Sequence, residues 1–94
     1  MSEASTGPVA KEMRRRLEAA LNPTVLALTD DSEQHRGHGG YNPAGESHFS
    51  LVIESVAFIG QSRVERQRMV HAVLGDLLEE RVHALSITAR EPQP

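Results

Sequence analysis

Cysteine and tryptophan are absent from this chain of 94 residues, which also has only one tyrosine and two phenylalanines. Without cysteine there is no disulfide framework, and the chain cannot by itself build a site that needs thiolate ligands. Because aromatic residues are so scarce, any hydrophobic core is expected to be aliphatic. Against these absences stand five histidines, which are the obvious candidates for ligand chemistry.

Long apolar runs are also missing. No run approaches the roughly 20 residues that span a bilayer, and the opening stretch MSEASTGPVAKEM lacks the apolar region of a signal peptide. We therefore predict no membrane association and a cytoplasmic location. The length predicts one domain over residues 8–90, preceded by a disordered N-terminus over 1–7 and followed by a loose tail over 91–94.

An excess of positive charge is lacking as well, since the net charge is −3 and the isoelectric point is about 5.9. A domain that grips a phosphate backbone usually has a basic footprint. Arginines do cluster locally in 63-RVERQR-68, which is predicted to open a helix after a tight turn. The simplest interpretation is a solvated helix face, but DNA binding through Arg63, Arg66 and Arg68 is kept as an alternative.

Two segments have the signals of a helix. The first begins at Pro8, ends before 22-NP-23 and has an apolar residue at every fourth position: Val9, Met13, Leu17 and Leu21. The second begins with the capping box formed by Ser62 and Glu65 and continues with a broad apolar face to near Glu80.

Three segments read as strands: 24-TVLALTD-30, 48-HFSLVIE-54 and 82-VHALSITA-89. In the second, Phe49, Leu51 and Ile53 are expected to face the core, and His48, Ser50 and Glu54 to face away from it. The order helix, strand, strand, helix, strand predicts an α+β domain with its helices on one face of a three-stranded mixed sheet. The first two strands would pair antiparallel, and the last would return parallel through a right-handed crossover.

The loop 31-DSEQHRGHGGYNPAGES-47 is long for a compact domain, and such loops are often functional. The spacing of His35 and His38 is a weak signal for zinc, because a flexible loop fixes no facing geometry. The chain has neither a nucleotide-binding glycine motif nor a serine with an evident base and orienter. We therefore predict that it is not an enzyme.

Four motifs occur in order along the chain: 30-DDS-32, 43-PAGESHF-49, FxGxSRVxRxR over 58–68 and 82-VHAL-85. With these motifs the chain resembles the BolA-like proteins over about residues 10–90. It departs from the family's usual R-H-R signature, since it reads Arg66-Gln67-Arg68, and its loop before PAGESHF is longer than in many members.

The resemblance implies the class II KH-like fold and a role beside a second protein. BolA-like proteins are partners of monothiol glutaredoxins, with which they form heterodimers. The two chains share a [2Fe–2S] cluster, or form a complex without one, in iron–sulfur cluster maturation or trafficking and in iron regulation. Some bacterial members have been linked to DNA binding and to control of morphology and stress genes. A homodimer or cluster-free binding module is a third hypothesis.

The resemblance also implies the ligands. The family uses a histidine just before the last strand, which here is His83, and a histidine or cysteine of the loop, which here is His35 or, with a shifted register, His38. Two histidines can replace two cysteines on one iron of such a cluster, so the partner's cysteine and glutathione would supply the sulfur, and the isolated chain would hold no cluster. His48 and His71 are interpreted as structural or surface residues.

Overall fold

Helices and strands follow the predicted order, with one extra break in the second helix. The computed structural model describes residues 7–31 and 48–94. Its elements in chain order are α1 (Pro8–Leu21), β1 (Val25–Asp30), β2 (His48–Glu54), a 3-10 turn (Val56–Phe58), α2 (Arg63–Leu74), α3 (Asp76–Glu80) and β3 (Ala84–Arg90). Residues 1–6 and 32–47, and with them His35 and His38, lie outside the described residues.

The sheet has the predicted mixed topology. β2 lies in the centre, antiparallel to β1 and parallel to β3. The parallel register pairs His48 with Ala84 at one end of the sheet and Glu54 with Arg90 at the other. The crossover from β2 to β3 therefore returns the chain to the end of the sheet where β2 began, as parallel pairing requires.

The hydrophobic core lies between α1, α2 and one face of the sheet, and within residues 7–31 and 48–94 its aromatic members are the two phenylalanines. Leu28, Phe49, Leu51 and Ile53 supply the sheet side, as the alternation of β2 predicted. The remaining buried members come from the helices and connections: Val9, Ala10, Met13, Leu17, Leu21, Phe58, Val70, Leu74 and Val82. The stripe predicted on α1 is thus the face that the helix buries.

His48 and Glu54 lie on the face of β2 that points away from the core, as predicted, but neither residue is exposed there. Their residues are only 4% and 5% exposed. β2 is the central strand; Arg90 of β3 covers part of Glu54, and the ring of His83, which precedes β3, covers part of His48. Arg90 Nε donates to the Glu54 carboxylate at 2.8 Å, and this hydrogen bond, followed by one from the Gln93 N–H, lowers the pKa of Glu54.

The C-terminal tail makes a defined contact with the sheet. The backbone N–H of Gln93 donates to Glu54 Oε1 at 3.1 Å, and the side chain of Gln93 donates to the carbonyl of Glu91 at 2.9 Å. Residues 91–94 were expected to be loose, but Gln93 tethers them to the central strand. The predicted domain boundaries stay predictions.

The second helix does not run unbroken to Glu80, as the sequence had indicated. It ends at Leu74, and Gly75 has a φ of 44° and a ψ of −116°, a conformation that side chains disfavour. Arg16 fixes this break from α1, since its Nη1 donates to the Leu74 carbonyl and to Asp76 Oδ1, each at 3.0 Å. The apolar pattern continues across the break, which is why periodicity alone did not reveal it.

Replacing Gly75 with alanine is expected to lower the free energy of unfolding by about 1–2 kcal/mol, because the positive φ strains any side chain. A new Cβ would lie 3.9 Å from the Ala72 carbonyl oxygen, so the cost comes from backbone strain and not from a clash. Urea denaturation measures the difference. An alanine variant as stable as the parent would mean that the positive φ is not needed at the break.

Candidate functional site

His83 lies on the connection immediately before β3, with its backbone fixed on both sides. Val82 is buried, and its N–H donates to the Leu77 carbonyl at 2.9 Å. Ala84, the next residue, pairs with His48 in the parallel ladder. His83 itself is exposed. An imidazole is thus presented to solvent from a backbone that has little freedom to move.

The ring of His48 contacts the ring of His83. Their centroids are 5.2 Å apart and their planes are inclined by 51°, which is within the usual range for contacting aromatic rings. Sequence reasoning assigned His48 a structural role and did not connect it to His83. The contact depends on the register between β2 and β3, for which the sequence carries no local signal.

The described residues that flank segment 32–47, Asp31 and His48, are hydrogen-bonded to each other beside this pair. The N–H of Asp31, the last described residue before it, donates to the carbonyl of His48, the first one after it, at 2.7 Å. The hydroxyl of Ser50 also donates to the carboxylate of Asp31. Asp31 and His48, the described residues on either side of segment 32–47, therefore lie together at one end of the sheet, and His48 is in contact with His83.

The side chains of this sequence offer imidazole and carboxylate ligands but no thiolate. Across residues 7–31 and 48–94, no group of three or more His, Cys, Asp or Glu side chains is arranged to hold a metal ion. The chain has no thiolate to offer, whereas His83 offers an accessible nitrogen ligand. His35 and His38 are outside the described residues, so the choice of the second ligand stays a prediction.

Arg66, one of the arginines assigned to the alternative of DNA binding, is engaged within the domain. Its guanidinium donates to the Gln61 carbonyl at 2.9 Å and to the Ala89 carbonyl at 3.5 Å, and it pairs with Glu91 at 3.4 Å. Its side chain is only 18% exposed. Arg66 therefore fastens α2 to β3, and a role in gripping phosphates would require it to leave these contacts.

The two other arginines of that cluster are more accessible. Arg63 is exposed at the start of α2, and Arg68 is 73% exposed and pairs with Glu65 at 3.2 Å. Gln67, which stands at the histidine position of the family signature, donates to the Ile87 carbonyl at 3.1 Å. Sequence reasoning missed this contact with β3. DNA binding stays a prediction, which a mobility-shift titration at two salt concentrations would test.

His71 lies on α2 and is exposed, as predicted for a surface residue. It lines a shallow groove with Val64, Arg68 and Ala72. Among the described elements, no helix is both long and apolar enough to cross a membrane.

Comparison with known sequences identifies the family. The sequence profile described as "BolA-like protein" matches residues 17–94. The chain belongs to the BolA-like protein family. It is 44% identical over 86 residues to BolA-like protein 1 of Bos taurus, covering 92% of this chain and 61% of that protein. It is 42% identical over 90 residues to the Arabidopsis thaliana SufE-like protein 1, chloroplastic/mitochondrial, covering 92% of this chain and 24% of that protein.

Solved structures of BolA-like proteins confirm the fold. The BolA domain of SufE1 from Arabidopsis thaliana superposes with a TM-score of 0.83 at 42% identity, covering 94% of this chain and 96% of that one. The solution structure of Mus musculus BolA1 superposes with a TM-score of 0.77 at 37% sequence identity, and the match covers 98% of this chain and 72% of that one. The predicted α+β, KH-like architecture is thus correct. Some relatives are named chloroplastic or mitochondrial, so the predicted cytoplasmic location is not confirmed. The predicted absence of enzyme activity stays a prediction.

Proposed function

We propose that this BolA-like chain is the partner of a monothiol glutaredoxin, with which it shares a [2Fe–2S] cluster in iron–sulfur cluster maturation or trafficking or in iron regulation. One observation carries the proposal: the exposed residue His83 contacts His48, which with Asp31 flanks the segment that contains His35 and His38. Membership of the BolA-like family supports an iron–sulfur role in general. The chain spans 61% of the length of the bovine relative.

In this proposal His83 and one loop histidine supply two nitrogen ligands. The glutaredoxin's cysteine and its bound glutathione supply two sulfur ligands. Replacing two thiolates by two imidazoles raises the reduction potential of such a cluster. The role of the BolA-like chain is to hold one imidazole on a fixed backbone and the other on the segment between Asp31 and His48.

The two loop histidines differ in how much chain separates them from Asp31. His35 follows the anchored Asp31 by four residues, and four residues span at most about 14 Å. His38 follows Asp31 by seven residues and has a correspondingly longer tether. Reach alone therefore does not choose between the two, and a variant at each position is required.

The test is co-expression with a monothiol glutaredoxin, purification without oxygen, and absorption and circular dichroism of the complex. We expect a coloured heterodimer whose visible spectrum differs from that of the glutaredoxin alone. His83→Ala should change the visible circular dichroism and weaken cluster retention by at least about tenfold, since even loss of a residue that only supports a ligand costs 10–100-fold. Of the two loop variants, His35→Ala and His38→Ala, one should have the same effect as His83→Ala and the other should have none.

The matched control is His71→Ala, which removes an exposed histidine from α2. It should leave both the spectrum and the cluster content unchanged. If His83→Ala and both loop variants also leave them unchanged, the ligand assignment is wrong. A colourless heterodimer would show an adaptor that works without a cluster, and no complex at all would contradict the proposal and favour the DNA-binding alternative.

A further inference from the structure

His48 occupies an unusual position for a buried histidine. It alternates with Phe49, so it lies on the face of the sheet opposite the hydrophobic core, yet it is only 4% exposed. In the described part of the chain, the buried residues of α1 and α2 belong to the core on the other face. The ring of His83, 5.2 Å away, is part of what covers it. The burial of His48 is thus connected with the residue to which the proposed function assigns the fixed ligand.

The backbone of His48 is held from both sides. Its carbonyl accepts the N–H of Asp31 from the β1 side at 2.7 Å. On the β3 side it pairs in register with Ala84, the residue after His83. The backbone of His48 is therefore a rigid support for its ring. An exposed histidine such as His83 would populate several staggered rotamers if no neighbour packed against its ring.

The contact with His48 restricts the orientations that the His83 ring can adopt. Its backbone is fixed by Val82 and Ala84, and its ring rests against the buried ring of His48, while the residue as a whole stays exposed. Ordering a side chain before a partner arrives reduces the entropy that binding must overcome. A ligand already oriented toward solvent is thus ready for an incoming partner.

We infer that His48 is a positioning residue, whose buried ring holds the imidazole of His83 in one orientation for shared ligation with a partner chain. The inference rests on the proposed function. It assigns His48 no bond to the cluster, because the buried position of its ring leaves it little accessible to a second chain. His48 is also the first described residue after segment 32–47.

A matched pair of variants separates ring packing from nitrogen chemistry. His48→Phe keeps a planar ring beside His83 and removes both nitrogens. His48→Leu fills a similar volume without a planar ring. Amide chemical shifts of β2 and β3 check that each variant is folded, and His71→Ala serves as the control for loss of a histidine elsewhere.

The first readout uses the isolated chain without any cluster. In the parent and in His48→Phe, three-bond couplings across χ1 of His83 should report a single rotamer. In His48→Leu they should take rotamer-averaged values. If His83 keeps one rotamer in a folded His48→Leu variant, the inference is overturned, whatever the cluster does.

The second readout uses the heterodimer with glutaredoxin. Cluster loss from His48→Leu should be about 2- to 10-fold faster than from the parent, the range that corresponds to ordering one side chain. His48→Phe should stay close to the parent. If His48→Phe instead loses the cluster as fully as His83→Ala, His48 is itself a ligand and the inference is wrong, although shared ligation stands. An unchanged spectrum in His83→Ala contradicts the proposed function itself, independently of any His48 variant.

Discussion

Replacing Phe58 with alanine is expected to lower the free energy of unfolding by about 3–5 kcal/mol. Phe58 closes the 3-10 turn after β2, and it is 0% exposed within the core. A chain with two phenylalanines has few large side chains with which to fill the space between helices and sheet. The cavity left by alanine would therefore be lined by aliphatic residues that cannot fully close it. Urea denaturation followed by circular dichroism measures the loss.

The same turn supplies the control for this prediction. Val56 and Ile59 are also apolar but are 61% and 55% exposed. Their replacement by alanine should change stability by no more than about 0.5 kcal/mol, as is usual for surface positions. Equal losses in Phe58→Ala and Ile59→Ala would show that the burial assigned to Phe58 is wrong.

Replacing Ser55 with alanine is expected to cost at least about 2 kcal/mol, although only one oxygen is removed. Ser55 is 0% exposed. Its hydroxyl donates to the carbonyl of Leu21 at the end of α1 and accepts from the N–H of Ala57, which is 3.1 Å away. Alanine would leave the buried Leu21 carbonyl and the partly buried Ala57 N–H without this partner, and a buried unsatisfied group costs about 1–3 kcal/mol.

Ser86→Ala is the matched control, because Ser86 is an exposed serine on β3 of the same sheet. It should change the free energy of unfolding by no more than about 0.5 kcal/mol. Thermal and urea unfolding of both variants should rank them in the same order. A Ser55→Ala variant as stable as Ser86→Ala would mean that the hydroxyl does not link α1 to the turn after β2.

The sequence determined most of the element order, because the signals are local. Pro8 and the 22-NP-23 pair bound the first helix, and the Ser62–Glu65 capping box marks the start of α2, where the Ser62 hydroxyl accepts the Glu65 N–H at 3.1 Å. The alternation of β2 identified its core face. These patterns depend on neighbours within a few residues, so no tertiary information was needed to read them.

The candidate site was predictable only in part. The family motifs brought out His83 and the loop histidines, and the structure places His83 in contact with His48, which flanks the segment that contains them. They did not reveal the support beneath His83, because His48 appears in the sequence as one polar residue of an alternating strand. Nor did they reveal that Arg66 is committed to contacts with Gln61, Ala89 and Glu91.

What the sequence by itself determined is thus the set of helices and strands, their order and the composition of an aliphatic core. Only the tertiary structure decided the break at Gly75, the burial of Ser55 and Glu54, and the contact between His48 and His83. The break at Gly75 is held by Arg16, which is distant in sequence. The burial and the ring contact have a related physical reason. Solvent exposure and ring contacts depend on which residues from distant segments become neighbours, and the register between parallel strands that sets those neighbours has no local code.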